Sequence, residues 1–369
     1  RLSTNIQKPV LALGSDVKNT VCFAKGNRAF VSEANGDLRE PAAFKRFEDT
    51  IRAISHGFKA QPHLIACDLH PEYFSTKYAS TFFPSTKVMR IQHHHAHICS
   101  SMAENGLPNK NVIGIAFDGT GFGNDSTFWG AEFLICDYSS FVRRAHLTPV
   151  PLAGGEKAIL EPWRLLFAWL YYIYKNELLT ANIYLLKGVN KKNLDVIKGM
   201  ISSGYNSPIA SSMGRLFDAV GALVLRKYKV NYEAEAAIAL EKCASRASSS
   251  LNSPYDFNIV KAKEKYIIDP IPLFKDILED MLRKEKKSVI AYRFHQTVGQ
   301  MIKKMCLRLR MDEGINKVVL SGGVFQNKIL LSAALDLLRK ERFEVITHKV
   351  LSCSDAGISL GQAVIAGHK

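Results

Sequence analysis

The sequence predicts an α/β fold of two similar halves, the second carrying a long helical insertion. Three observations carry that expectation: a three-strand meander followed by helix–strand alternation opens the chain, the same order restarts near residue 111, and a helical block without strand alternation begins near residue 155. The 369 residues suffice for two coupled lobes, each with its own core.

Residues 8–14 (KPVLALG) read as a buried strand, and 20–24 and 28–31 add two short strands around the turn Lys25-Gly26-Asn27. From Pro41 to Phe58 apolar residues recur at helical spacing (Phe44, Phe47, Ile51, Ile54), with proline where a helix start tolerates it. Strands are expected at 64–67 and 86–91, the latter leading into a histidine cluster and the helix 96–105. The second half opens with the apolar strand 111–117, ending at Asp118-Gly119-Thr120-Gly121, and continues with strands 126–136 and 141–150. After Gly154-Gly155 the chain reads as helical to about residue 255, with a polar loop at 247–254. A long helix at 288–310, strands at 317–320 and 342–347, and helices at 327–340 and 355–366 close the pattern. The expected lobes are residues 1–105 and 106–369, with the insertion at 155–255.

Apolar residues at 47% and charged residues at 22% give a globular profile. The apolar run Leu165–Tyr174 is too short to span a bilayer, so no membrane partner is expected. The first residue is Arg1 with no signal-peptide pattern, which suggests a piece of a longer protein. Seven scattered cysteines without a Cys-x-x-Cys pair point to a reducing compartment, the cytoplasm. The net charge of +15 raises nucleic acid as a partner, but the basic residues are spread out without interleaved aromatics, so a lysine-biased solvated surface is the preferred reading.

The sharpest feature is Gln92-His93-His94-His95-Ala96-His97 at a strand-to-helix junction. On a helix, His93 and His97 lie one turn apart on one face, so two imidazoles can meet one ion. The alternative is a polar helix start with its histidines in ordinary hydrogen bonds. Two imidazoles need further ligands, and Asp118 and Asp355 stand at strand ends facing the cleft of an open α/β fold. Either aspartate could equally cap a helix or form a turn.

Gly119-Thr120-Gly121 permits close backbone approach to a phosphate, or is simply a glycine-rich turn. Gly322 and Gly323, between a strand and a helix, offer a second set of amides, with Asn327 placed to bond a ribose or base. Together the two loops suggest a nucleotide in a cleft between the lobes. Gly154, Gly155 and Glu161, with Arg164, could hold hydroxyls or a phosphate, or form an ordinary helix start. Cys99 and Cys353 lack a base partner and read as small buried residues.

At these residues the sequence resembles the C-terminal half of the hydrogenase-maturation carbamoyltransferase (HypF) family. The likeness runs through Cys67-Asp-Leu-His-Pro-Glu72, the histidine block, Phe117-Asp-Gly-Thr-Gly121, Trp129-Gly-Ala-Glu-Phe133, Glu161-Pro-Trp-Arg164, Ser211-Ser-Met-Gly-Arg-Leu-Phe-Asp218, Ser321-Gly-Gly-Val-Phe-Gln-Asn327 and Ser359-Leu-Gly-Gln362. It implies two actin-like (ribonuclease H-like) lobes, as in the tRNA threonylcarbamoyl transferases, and one iron or zinc ion held by His93, His97, Asp118 and Asp355. It implies that carbamoyl-adenylate, made from carbamoyl phosphate and ATP by another domain in cis or in trans, is consumed here, so the nucleotide would be an adenine nucleotide (ATP, ADP or AMP). The acceptor would be the C-terminal cysteine of HypE, in the route to the hydrogenase cyanide ligand. His93, His94, His95 and His97 are the expected catalytic histidines, with His94 and His95 donating to the carbonyl or helping to deprotonate the thiol.

Two departures qualify the likeness. The family's acylphosphatase-like, zinc-binding and adenylate-forming domains are not expected within these residues, and the loop Gly14–Lys18 lacks the Asp-x-Gly of the superfamily's kinases. The alternatives are a tRNA threonylcarbamoyl transferase, a small-molecule O-carbamoyltransferase and a nucleotide-dependent scaffold. The triple histidine and Glu161-Pro-Trp-Arg164 favour the hydrogenase type over the tRNA enzyme, and a scaffold has no use for a His93/His97 metal site.

Overall fold

The computed structural model describes residues 1–58, 61–175, 183–247 and 253–369; most of the expected polar loop at 247–254 lies outside them. In the first lobe, β1 (Ile6–Ala12), β2 (Cys22–Gly26) and β3 (Arg28–Val31) form the antiparallel meander. Helix α1 (Pro41–Phe58) buries Ala43, Phe47, Ile51 and Ile54, as its spacing predicts. β4 (Leu64–Asp68) is buried throughout and pairs in parallel with β1. Helix α2 (Phe74–Phe82), which the sequence reading lacked, leads to β5 (Lys87–Ile91), parallel to β4, and then to α3 (His93–Glu104). The loop Gly14–Lys18 serves α2: both Asp16 carboxylate oxygens accept from amides at its start, Phe74 and Ser75.

The second lobe restarts with β6 (Val112–Phe122), β7 (Phe128–Cys136) and β8 (Phe141–Leu147), again an antiparallel meander, followed by the short β9 (Val150–Pro151). Then come α4 (Lys157–Leu160), α5 (Trp163–Tyr174), α6 (Lys191–Ser203), β10 (Ile209–Ser212), α7 (Met213–Leu225) and α8 (Glu235–Ala244). Strands β11 (Asn258–Ala262) and β12 (Lys265–Asp269) precede α9 (Ile271–Leu282) and α10 (Lys287–Glu313). β13 (Lys317–Ser321), α11 (Lys328–Lys340), β14 (Glu344–Ile346) and α12 (Ile358–Gly367) complete the chain.

The expectation of an insertion without strands is corrected at β10, which pairs with β7 and β9. Its four residues are too few to show an alternation. β11 and β12 were missed as well, their apolar residues being interrupted by Lys261, Lys263 and Lys265.

The first sheet runs β3-β2-β1-β4-β5, and the second contains β8-β7-β6-β13-β14. Position by position these are the same order, with the same antiparallel meander and the same two parallel additions. The predicted duplication is therefore a matter of topology, and the fold is the expected α/β pair of lobes. Between the sheets, α3 and α12 pack on each other, α12 covering β1 and α3 covering β6 and β13. One apolar core accordingly mixes Val10, Ala66 and Ile98 with Val112, Val319 and Val364.

Candidate metal centre and active site

The start of α3 delivers both imidazoles. Gln92 caps it, its side-chain oxygen accepting from the His95 amide, and His93 and His97 follow one turn apart. From the other lobe, β6 does not stop at Phe117 as expected but runs on to Phe122 with a bulge. Phe117 pairs with Ala131 and Gly121 with Trp129, so Asp118, Gly119 and Thr120 together face only Gly130. The bulge rests on α7, where the Ser212 hydroxyl donates to the Asp118 carbonyl and the missing side chain of Gly214 lets the backbones meet. Asp355 opens the turn before α12.

These four residues converge, each offering one donor atom with all four atoms within 4.8 Å of one another. His93 Nε2 lies 3.2 Å from Asp118 Oδ2 and 3.9 Å from Asp355 Oδ1; His97 Nε2 lies 3.5 and 3.7 Å from the same oxygens. His97 Nε2 is buried without a hydrogen-bond partner, which an ion would supply. Two imidazoles and two carboxylates suit zinc or ferrous iron. Asp68, wholly buried at the end of β4, takes the other nitrogen of His93 at 2.8 Å, as a ligand histidine's outer nitrogen requires.

Burial opposes charge on His93, yet Asp68, Asp118 and Asp355 hold its pKa well above the ordinary histidine value. Burial would likewise raise Asp118, but the hydrogen bond from His93 and the nearby His97 imidazole keep it well below 3.8. Burial and the neighbouring Asp118 charge push Asp355 up to about 6.

His94 packs against Gly121, where an added β-carbon would stand 2.6 Å from its ring. Its Nδ1 faces the Gln92 side-chain amide at 3.1 Å, and burial with neighbouring His93 holds its pKa far down, so it is neutral. His95 is not brought to the centre: its Nε2 meets the Asp137 carbonyl at 2.6 Å, and burial lowers it to about 4.

The amides expected to be free at the double glycine are engaged. Gly322 donates to the Cys353 carbonyl, and Gly323 donates to Asp118 Oδ1 at 3.1 Å, steadying that carboxylate. Asn327 caps α11 and donates to His295. Glu161 accepts from Arg164 and lines a separate cavity of about 630 Å³ with Lys157, Arg226 and Lys229, which none of the four clustered residues borders. Gly154 and Gly155 both have positive φ in the loop ahead of α4, and Glu156 beside them reaches Arg39 of the first lobe at 3.9 Å. Cys353, raised to about 11 by burial, is inert at neutral pH, and burial likewise pushes Cys99 well above the ordinary thiol value.

Sequence reasoning missed Asp68, although it ends a strand just before His-Pro, and it missed the group beside Gly119. There Arg215 bridges buried Asp218 at 3.0 Å and Glu233 at 3.2 Å.

The family model for the HypF Kae1-like domain matches residues 5–104, and that for the second subdomain of the carbamoyltransferase Kae1-like domain matches residues 114–362. The chain belongs to the HypF carbamoyltransferase family. Carbamoyltransferase HypF of Synechocystis sp. is 36% identical over 368 residues, covering 96% of this chain and 47% of that protein. The carbamoyltransferase HypF homolog of Cupriavidus necator is 32% identical, covering 98% and 92%. The chain thus spans about half the length of the first and nearly all of the second. Among solved structures, full-length HypF in its phosphate- and nucleotide-bound form superposes with a TM-score of 0.92 at 40% identity, over 99% of this chain and 56% of that one. HypF of T. kodakarensis superposes at 0.88 with 28% identity, over 98% and 48%. Among the described residues no helix is long and apolar enough to cross a membrane.

Proposed function

We propose that this chain is the transfer module of a HypF-type enzyme, moving the carbamoyl group of carbamoyl-adenylate to the C-terminal cysteine thiol of a HypE-type acceptor in [NiFe] hydrogenase maturation. The observation that supports it is the cluster of His93, His97, Asp118 and Asp355 where the two lobes meet, on a chain that matches the family along nearly its whole length. One zinc or iron ion held there would act as a Lewis acid toward the carbamoyl oxygen.

The protein's own part is placement. Asp68 fixes the ring of His93, and the Gly323 amide and the β6 bulge aim Asp118. The adenylate lies along Gly119–Gly121, where the bulge and the glycines let backbone approach phosphate. In the reaction an S–C bond forms, the C–O bond to the phosphate of AMP breaks, and the thiol proton leaves to solvent or the departing phosphate. Neutral His94 holds the wall behind Gly121 and carries no positive charge that would compete with the ion.

The test supplies carbamoyl-adenylate and a cysteine-terminated HypE to the purified chain and weighs the acceptor by mass spectrometry. The expected result is the mass of one added carbamoyl group, lost in His93→Ala. An unmodified acceptor alongside a carbamoylated tRNA or small alcohol would overturn the acceptor assignment.

A further inference from the structure

His97 has no carboxylate of its own like the Asp68 behind His93, yet its outer nitrogen is not idle. His97 Nδ1 stands 3.4 Å from Ser321 Oγ at the end of β13, and that hydroxyl is 2.8 Å from His348 Nε2. His348 Nδ1 lies 3.1 Å from Glu104 Oε1, in contact though off the line of an ideal hydrogen bond. Ser321 is fully buried, and the side chains of His348 and Glu104 are each 5% exposed.

With one proton on each imidazole, a single proton order satisfies this row. A carboxylate accepts, so His348 Nδ1 carries the proton and His348 Nε2 accepts from the Ser321 hydroxyl. Ser321 Oγ then accepts from His97 Nδ1–H, which leaves a bare lone pair on His97 Nε2, the partnerless atom facing Asp118 and Asp355.

Glu104 does a second thing. It ends α3, the helix bearing both imidazoles, and its carboxylate accepts from the amides of Lys349 (2.7 Å) and Leu351 (2.8 Å) in the segment leading to Asp355. Next to it, Asn105 Nδ2 donates to the Thr347 carbonyl at 2.9 Å. The far end of the imidazole helix thereby grips the strand of chain that supplies the opposing carboxylate.

We infer that Glu104, His348 and Ser321 are positioning residues that hold His97 in the tautomer able to bind metal through Nε2 and set its distance to Asp355. The inference rests on the metal reading above. The fold supports it: Asp68 ends β4 and Ser321 ends β13, the strands that hold corresponding places in the two sheets, so the duplicated sheets supply one outer partner for each imidazole.

Co²⁺ serves as the probe, its affinity measured by chelator competition and its environment by visible d–d absorption. Ser321→Ala interrupts the row while leaving Glu104 its amides. Glu104→Gln replaces one of the two carboxylate oxygens by an N–H, so it opposes either His348 together with the Lys349 amide or the Leu351 amide. Each variant, shown folded by circular dichroism, is expected to bind Co²⁺ about 10-fold more weakly or worse, with shifted bands. In a His97→Ala background, Ser321→Ala should change neither affinity nor spectrum further, which a merely structural role would not produce. Wild-type affinity and spectrum in both folded single variants would overturn the relay and leave the metal reading standing. A wild-type chain that takes up no Co²⁺ would overturn both.

Discussion

A β-carbon placed on Gly361 of α12 would fall on the carbonyl oxygen of Ala96 in α3. The two helices therefore meet backbone to backbone at the residue just before His97, and the position admits nothing larger than glycine. Gly361→Ala should force them apart and cost about 1–3 kcal/mol, read as a lowered urea midpoint. Metal uptake should fall with it, because α12 follows Asp355 directly.

Among the described residues Asp68 is the carboxylate on the outer nitrogen of His93. Asp68→Ala should weaken metal binding by about 10- to 100-fold, with elemental analysis after dialysis as the measurement. Metal content equal to wild type would remove Asp68 from the centre.

Gly119 and Gly322 are unequal probes of nucleotide binding. Gly322 has φ +102°, and a β-carbon there would collide with the Phe117 backbone, so Gly322→Val is expected to unfold the lobe. At Gly119 the nearest obstacle is the mobile end of the Glu233 side chain, 2.5 Å away. Gly119→Val should stay folded and lose ADP affinity by calorimetry, and unchanged affinity would move the nucleotide elsewhere.

Glu132, fully buried on β7, is bound by Arg143 at 2.6 and 2.9 Å, and that guanidinium also covers Trp129. Glu132→Ala strands the arginine and should cost about 3–5 kcal/mol. Glu132→Gln, which retains an acceptor, should cost less in the same denaturation series.

Burial, opposed by Arg215, raises Asp218 from 3.8 to about 6. The folded state holds this proton more tightly than the unfolded chain. Its stabilising contribution is therefore complete below pH 3.8 and is lost as pH rises through about 6. Asp218→Asn should flatten the fall in urea midpoint over that interval.

Periodicity and spacing made much of this molecule legible. The apolar spacing of α1 and the one-turn separation of His93 and His97 are local signals, and both stand in the structure. Asp118 and Asp355 were equally visible as candidates, but Asp118 lies in a bulge within β6 rather than at a strand end, Asp355 opens the turn before α12, and whether they ligate or merely cap depends on contacts far along the chain. What stayed hidden depends on such contacts entirely. Gly323 lies 205 residues from the Asp118 carboxylate its amide serves, and Ser321 lies 224 from His97. Nothing beside either glycine marks its amide as already taken. His95 shows the converse: three adjacent histidines look equivalent in sequence, but a helix sends them in different directions, and this one meets the Asp137 carbonyl.

The duplicated topology divides the donors by element. Both nitrogens come from the first lobe and both oxygens from the second, so an ion bound there would be a rivet through two repeats. Neither repeat expressed alone could hold it, and its off-rate would measure how often the halves part. Any ligand that wedges the lobes open would be sensed as loss of the ion, and any that draws them together as its retention.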